Sequence, residues 1–304
     1  MKWRKLGLLY ECPNLHPNLA THVANPTPVF KSEDTFRIYF NARDEQNRSS
    51  VAAVDIDIVT KQIVSEFSKP VFEYGQPDSF YENGISIGSL YTVNASTYLS
   101  FMGWQQPDNA HWFGEVGRFL VNSDLSLTLD SEKPMLGLDH IDPISISYPW
   151  IEKINDQFHM WYGSTTTWDA GNDEMLHILK HAVSTDGLNW NKKGDSIPYE
   201  LGYAQAFSRP TLLNDDNENL TMWFSYRSGS GDLYRIGQSQ KKGKAPWTKV
   251  INAPGLTLSA EGWDSEMLEY PYVFRHKDET YMLYNGNDYG KTGFGLAVLE
   301  SNNA

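Results

Sequence analysis

A short phrase returns five times in this chain at intervals of about 61 residues. A fixed period of this size is typical of repeat architectures, in which each unit covers its apolar face by stacking on its neighbours. The five copies are Asn25-Pro26-Thr27-Pro28-Val29, Ser86-Ile87-Gly88-Ser89-Leu90, Tyr148-Pro149-Trp150-Ile151, Arg209-Pro210-Thr211-Leu212 and Tyr270-Pro271-Tyr272-Val273.

A short aromatic strand follows each copy by about fourteen residues and keeps the same period. Two features that share one period favour a repeated unit over the alternative, five unrelated strands of one large sandwich. The matched aromatic residues are Phe40, Phe101, Tyr162, Phe224 and Tyr284.

These units predict an all-β fold, because their apolar runs are short, aromatic and β-branched, and are broken by turn clusters such as 155–156 and 214–217. We predict a five-bladed β-propeller that forms one domain over residues 1–304. Residues 3–10 precede the first copy, and we expect them to supply the fourth strand of the last blade, since unpaired edges are a liability. The predicted blades are roughly 22–80, 81–140, 141–202, 203–262, and 263–300 together with 1–12.

Composition excludes several classes of partner. A formal net charge of −13 is unfavourable for binding a nucleic-acid backbone, which needs a basic surface. No apolar run approaches the ~20 residues that span a bilayer, and the run before Glu11 is too short for a secretory signal. Cys12 is the only cysteine, which excludes an intrachain disulfide, and we expect a cytoplasmic protein.

The motifs predict neither a cofactor nor a metal. The eight histidines show no close metal-ligand spacing. The chain has no phosphate-binding loop of the Gly-x-x-x-x-Gly-Lys type and no Gly-x-Ser-x-Gly nucleophile elbow.

Polar, aromatic and charged residues stand at matching positions of the repeat, directly beside the apolar strands. In a propeller, the starts of the innermost strands and the ends of the second strands face one central funnel, so these residues are site candidates. The starts carry Asn25, Ser86, Ser147, Ser208 with Arg209, and Glu269 with Tyr270. The ends carry Arg43 with Asp44, Trp104, Gly163-Ser164, Tyr226 with Arg227, and Asn285 with Asn287.

Residues 262–270 hold the densest group of acids, Asp264, Glu266 and Glu269. Two carboxyl groups about 5–10 Å apart are what glycosidic cleavage needs, one as the acid and one as the base or nucleophile. Crowding raises the pKa of one such group and leaves the other low. The alternative is a solvated acidic loop, which is common in a chain with 38 acidic residues.

Three arginines, Arg43, Arg209 and Arg227, occupy site-facing positions and could clamp a carboxylate or a phosphate. The alternative is that each pairs with a local acid, such as Arg43 with Asp44 or Arg209 with Glu269. Flat rings near the same loops could stack on sugar faces. These aromatic candidates are Trp104, Trp112, Tyr148, Trp168, Tyr226, Tyr270 and Tyr289.

Segments spread over nearly the whole chain carry a resemblance to a known superfamily. They are 25–28, 43–49, 208–210, 222–227, 262–267 and 281–287. The chain resembles the five-bladed propeller glycosidases of glycoside hydrolase families 43, 32 and 130, and within them a group associated with bacterial surface-polysaccharide genes. The resemblance implies this propeller fold and a carbohydrate ligand.

The acidic residues of those families are not matched one by one. Family 43 enzymes place Asp, Asp and Glu at the first three innermost-strand starts, where this chain has Asn25, Ser86 and Ser147. Family 32 enzymes carry Asn-Asp-Pro-Asn, Arg-Asp-Pro and Glu-Cys motifs, whereas Asn25-Pro26 and Arg209-Pro210 each lack the Asp. Either the site has been rebuilt in the fifth blade or hydrolysis has been lost.

Two functions follow as the main expectations. The first is a glycosidase or transglycosidase acting on a polysaccharide-related, anionic sugar, and the second is a sugar-binding propeller without hydrolysis; a protein-binding propeller is a third class. The catalytic candidates are Glu266 and Glu269, with Asp264, Glu82 and Asp44 in reserve. The substrate-binding candidates are His22, Asn25, Arg43, Trp104, Tyr148, Arg209, Tyr226, Arg227, Tyr270, Asn285 and Asn287.

Overall fold

The computed structural model of the chain describes residues 2–215, 219–229 and 231–300, so Asp216 and Asn217 of one predicted turn lie outside it. Strands make up 56% of the structure and helices only 2%, which confirms the predicted all-β class. A 3₁₀ turn (Pro17–Leu19) and a four-residue helical turn, α1 (Asn287–Gly290), interrupt them. Neither is long or apolar enough to cross a membrane.

The strands follow one another as hairpins, because short turns join runs whose side chains alternate between two packed faces. Their bounds are β1 Lys2–Tyr10, β2 Thr21–Ser32, β3 Thr35–Arg43, β4 Ser49–Asp57, β5 Gln62–Glu66, β6 Gly84–Val93, β7 Ser96–Gln105, β8 Phe113–Val121, β9 Leu127–Leu129, β10 Ser145–Ile154, β11 Gln157–Thr167, β12 Leu176–Ser184, β13 Asn191–Asp195, β14 Ala206–Asn214, β15 Asn219–Arg227, β16 Arg235–Lys242, β17 Ile251–Asn252, β18 Glu269–His276, β19 Glu279–Asn285 and β20 Phe294–Glu300.

Hydrogen bonds join these strands, within the described residues, into one four-stranded and two eight-stranded sheets. Each eight-stranded sheet consists of two antiparallel groups of four, β2–β5 with β6–β9 and β10–β13 with β14–β17. A single parallel residue pair links the groups, Ser49 with Gly84 in one sheet and His177 with Ala206 in the other. In the four-stranded sheet, β1 runs antiparallel to β20, so the N-terminal strand lies where the sequence predicts it.

The first strands of the groups lie against one another. They contact in the order β2, β6, β10, β14 and β18, and β18 contacts β2 again. The matched aromatic residues of the second strands are all buried, at 0–3% exposure, and pack between neighbouring groups. The apolar repeat therefore forms the cores, and the first strands bring distant parts of the chain together.

The repeated phrase is a β-bulge in the first strand of each group. In β10, for example, Ser147 faces Gly163 and Trp150 faces Trp161, so three steps along β10 match two along β11. The same one-residue shift occurs in β2, β6, β14 and β18. A bulge bends its strand and changes the direction of a side chain, which explains why residues of this phrase can point into a site.

Arg209 of the bulge in β14 links three first strands. Its guanidinium donates to the carbonyl oxygens of Pro26 in β2 and Tyr270 in β18, at 3.1 and 3.3 Å. It also donates to the Thr27 hydroxyl at 2.6 Å. The side chain is 2% exposed and stacks over Tyr272, with 5.6 Å between the guanidinium carbon and the ring centre. Arg209 therefore stabilises the contact between first strands.

Replacing Arg209 with Lys is expected to destabilise the fold by about 2–4 kcal/mol, because one ammonium cannot reach three acceptors placed for a planar fork. Urea unfolding followed by tryptophan fluorescence measures this change. The matched control is Arg4→Lys, whose side chain is 60% exposed and pairs with Glu300 at the surface, so its effect should stay within about 0.5 kcal/mol. Equal midpoints for Arg209→Lys and the wild type would contradict the role of Arg209.

Candidate functional site

A cavity of about 460 Å³ opens where the first strands meet the ends of the second strands. Its volume falls in the range of small-ligand sites, about 300–1,000 Å³. Residues from all the strand groups contribute to its wall. The lining residues are Arg43, Asn47, Ser86, Met102, Trp104, Gln106, Trp112, Tyr148, Met175, His177, Phe207, Ser208, Arg227, Tyr234, Glu269, Tyr270 and Tyr289.

Glu269 is the carboxylic acid among these lining residues. It begins β18 just before the bulge, opposite Asn285 of β19, and is 1% exposed. Its Oε2 has no hydrogen-bond partner among the described residues. Burial raises the pKa of Glu269 to about 8, and the positive charges of Arg227, Arg43 and Arg209 offset only part of that effect. At neutral pH this carboxyl therefore keeps its proton and can donate it.

Two tyrosines stand beside Glu269. The hydroxyls of Tyr148 and Tyr270 are 3.2 Å apart and their ring centres 5.5 Å apart. Both residues have a left-handed backbone, with φ of 42° and 53°, a costly conformation that clusters at functional sites. Burial raises the pKa of both phenols, so they remain neutral hydrogen-bonding groups.

Two arginines line the same cavity with different partners. Arg227 donates to Glu174 at 2.9 Å and to the Tyr289 hydroxyl at 3.3 Å. Arg43 is half-buried at the end of β3 and forms no ion pair with any residue that the structure describes. Its sequence neighbour Asp44 pairs with Arg48 instead, at 2.8 Å. The anion-binding capacity of the wall therefore rests chiefly on Arg43.

His177 lines the cavity and Glu174 pairs with Arg227 of its wall, and no pattern in the sequence predicted either residue. The Nε2 atom of His177 bonds the Ser147 hydroxyl and its Nδ1 bonds the Thr165 hydroxyl, each at 2.7 Å. Burial lowers the pKa of His177 to about 3, so the ring is neutral. The only available signal was a lone His at the start of an apolar strand. Further lining residues without a sequence-based prediction are Asn47, Met102, Gln106, Met175, Phe207 and Tyr234.

The other catalytic candidates lie outside the cavity wall. Glu266 is exposed on the loop before β18, so the structure does not place it with Glu269 in the cavity. Asp264 is buried in an ion pair with Lys5 at 2.6 Å. Glu82 accepts the backbone amide of residue 78 at 3.0 Å, and Asp44 accepts the amides of residues 46 and 48. These bonds from Glu82 and Asp44 to nearby backbone amides stabilise local turns.

Six of the predicted substrate-binding residues also lie off the wall. Asn285 accepts the Asn25 amide at 3.0 Å and donates to two backbone carbonyls, which fixes β19 against β2. Asn287 accepts two amides of the loop before β18, at 2.8 and 3.0 Å. The His22 ring bonds the Thr21 hydroxyl at 2.9 Å, and burial lowers its pKa to about 4. The remaining two are Tyr226, which bonds Asn252, and Arg209.

The structure thus brings together Arg43, Trp104, Tyr148, Arg227 and Tyr270 around Glu269. This wall combines one protonated acid, two guanidinium groups and several rings. Such a set can bind an anionic, polyhydroxylated ligand and donate a proton to it. No group of three or more His, Cys, Asp or Glu side chains in the described part of the chain could hold a metal ion.

Similar solved structures are glycosidases. A structure described as a glycoside hydrolase has a TM-score of 0.70 at 14% identity, covering 98% of this chain and 92% of that one. A glycosyl hydrolase from Bacteroides ovatus has a TM-score of 0.69 at 11% identity, with 97% and 93% covered. A structure from the GH130 family of mannoside phosphorylases has a TM-score of 0.69 at 11% identity, with 92% and 85% covered. The propeller fold that these glycosidases share is therefore confirmed for this chain.

No family model matches the sequence. Two relatives from Mycobacterium tuberculosis strains, Uncharacterized protein MT1551 and Uncharacterized protein Rv1502, are each 36% identical over 304 residues. The alignment covers 99% of this chain and 100% of each relative. With this identity over its whole length, and with the propeller fold of glycoside hydrolases, the chain belongs to the same family as these two mycobacterial proteins.

Proposed function

We propose that this protein binds an anionic sugar in the cavity and cleaves or transfers its glycosyl bond, with Glu269 as the proton donor. One observation carries the proposal: the lining carboxyl is 1% exposed, and its pKa is raised to about 8. A glycosidic oxygen needs a proton as it leaves, and an acid that is still protonated at neutral pH can supply it. The likeness of the fold to glycosidases is consistent with this chemistry.

The charges around the cavity favour an anionic ligand. The chain as a whole carries −13, yet the cavity wall holds two arginines, Arg43 and Arg227. Glu174 neutralises Arg227, and a protonated Glu269 contributes no charge, so the positive charge of Arg43 remains on the wall. A carboxylate or phosphate on the sugar would balance this charge through charge-assisted hydrogen bonds.

The attacking group in this proposal comes from outside the protein. Glycosidases usually place a second carboxylate near the acid, as a base or nucleophile. Glu269 has no such partner among the described lining residues, and both tyrosines are held neutral. Water, a sugar hydroxyl or inorganic phosphate would then attack the anomeric carbon, so assays should include each acceptor.

The missing second carboxylate also favours a second candidate function, sugar binding without cleavage in polysaccharide assembly. The same arginines, tyrosines and rings would hold the sugar in either case. Ligand binding measured by calorimetry without any product in the presence of water, sugar or phosphate acceptors would support this second function.

We further infer that the four-stranded groups are the blades of a five-bladed propeller in one domain, with the cavity at its axis. The cyclic contact of β2, β6, β10, β14 and β18 supports this arrangement. So does the pairing of β1 with β20, which adds a fourth strand to the last group.

Glu269→Gln should lower turnover at least about 100-fold while ligand affinity stays within a few-fold, because the amide keeps the shape but cannot donate a proton to the leaving oxygen. Product release from a confirmed substrate and calorimetric binding measure the two effects. The control is Glu279→Gln, in the exposed turn at the far end of the same hairpin. An equal loss in Glu266→Gln would contradict the assignment to Glu269.

The pH profile should follow the raised pKa of Glu269. The protonated form is active, so kcat/KM should stay high below pH 8 and fall as the pH rises through about 8. Arg43→Met removes a charge that lowers this pKa, so its falling limb should shift to higher pH. Initial rates between about pH 3 and 10 at constant ionic strength test both points, and a falling limb at the ordinary carboxyl value of 4.5 would exclude Glu269 as the acid.

Arg43→Met should weaken binding of galacturonate by roughly tenfold and leave binding of galactose unchanged, because only the acid needs the guanidinium. Calorimetry with both sugars compares them directly. Since galactose shares the ring and most hydroxyls, it serves as the internal control. A parallel loss for the two sugars would mean that Arg43 shapes the cavity without recognising charge.

A further inference from the structure

An aromatic cluster leads from the cavity wall to the protein surface. It consists of His111 and Trp112, at the end of the loop 106–112, and Trp168, at the start of the loop 168–175; we call it the aromatic shelf. His111 stacks on Trp168 with 4.5 Å between ring centres and 17° between planes. Trp112 meets Trp168 edge-on at 5.1 Å and also lines the cavity. The shelf is therefore continuous with the cavity.

Side-chain exposure increases from the cavity outward along the aromatic shelf. His177 in the cavity is 2% exposed, Trp112 and Trp168 are half-buried, and His111 is exposed. Neither tryptophan belongs to any of the hydrophobic core clusters formed by the described residues. Packing of the core therefore does not account for these two rings, which lie on loops of different strand groups.

Rings of this kind fit a sugar. Indole and imidazole faces offer flat apolar area to the C–H face of a pyranose, while their N–H groups can bond hydroxyls. Residues 106–111 are exposed, and Gln106 lines the cavity beside Trp112. A chain of sugars that enters the cavity with its terminal unit would therefore pass over the shelf with the next unit.

We infer that the aromatic shelf is a second sugar subsite and that the ligand of this protein is an oligosaccharide of at least two units. The inference rests on the proposed function for the first unit, which lies beside Glu269 and Arg43. The shelf holds the next unit by stacking on its three rings, one imidazole and two indoles. Affinity should therefore depend on chain length.

The experiment uses ladders of one to six units of galacturonate and of β-1,2-linked mannose, with calorimetry as the readout. The Glu269→Gln variant serves as the background, so that no ligand is turned over. We expect tighter binding from one unit to two, by roughly fivefold. Trp168→Ala should abolish that increase while leaving binding of the single unit unchanged.

His111→Ala is the second variant, because this exposed residue can be removed without loss of the fold. It should remove part of the same increase, whereas His140→Ala, an exposed histidine in another loop, should keep it in full. If affinity still rises from one unit to two in both shelf variants, the subsite is wrong and the proposed function stands. The same conclusion follows if single units bind the Glu269→Gln background and longer chains bind no more tightly. Failure of both ladders at every length overturns the subsite and the proposed function together.

Discussion

A buried cation with neutral partners holds this fold together. Arg209 reaches from β14 to backbone carbonyls of β2 and β18, and among the residues that the structure describes no carboxylate oxygen accepts a hydrogen bond from it. Burying a charge in this way is costly, and the cost is offset only where several well-placed acceptors surround it. Burial lowers the pKa of Arg209 to about 9, yet the side chain remains charged at pH 7. The contact between the bulged first strands therefore depends on the hydrogen bonds of one guanidinium group, that of Arg209.

The chemistry of the cavity follows from the same arrangement. First strands that bend at their bulges direct Glu269, Tyr148 and Tyr270 toward one cavity. Burial of the Glu269 carboxyl keeps it protonated, and the nearby arginines prevent its pKa from rising further. A proton donor and an anion-binding wall can thus coexist without an ion pair between them. The bulges that direct these side chains into the cavity also place Tyr148, Arg209 and Tyr270 in left-handed backbone conformations, which are energetically costly.

The repeat period was enough to predict the all-β class, because apolar strands recur where cores must form. It also predicted much of the wall, since Arg43, Arg227 and Tyr270 stand at strand ends that the period aligns. It could not predict which way a loop carboxylate points. Glu266 lies outside because Asn287, from a distant connection, binds the amide of its loop. His177 was missed because its partners, two hydroxyls on other strands, leave no pattern in the sequence.

The pairing of β1 with β20 has a consequence for how the chain matures. Of the described strands, β1 is synthesised first and its partner last, with nearly the whole chain between them. During translation Trp3, which is 1% exposed in the finished fold, has no sheet to join. Contacts between residues this distant in sequence form slowly, and an apolar strand that is unpaired in the meantime can form non-native contacts or aggregate. The edge of β1 is therefore covered only after β20 has been synthesised.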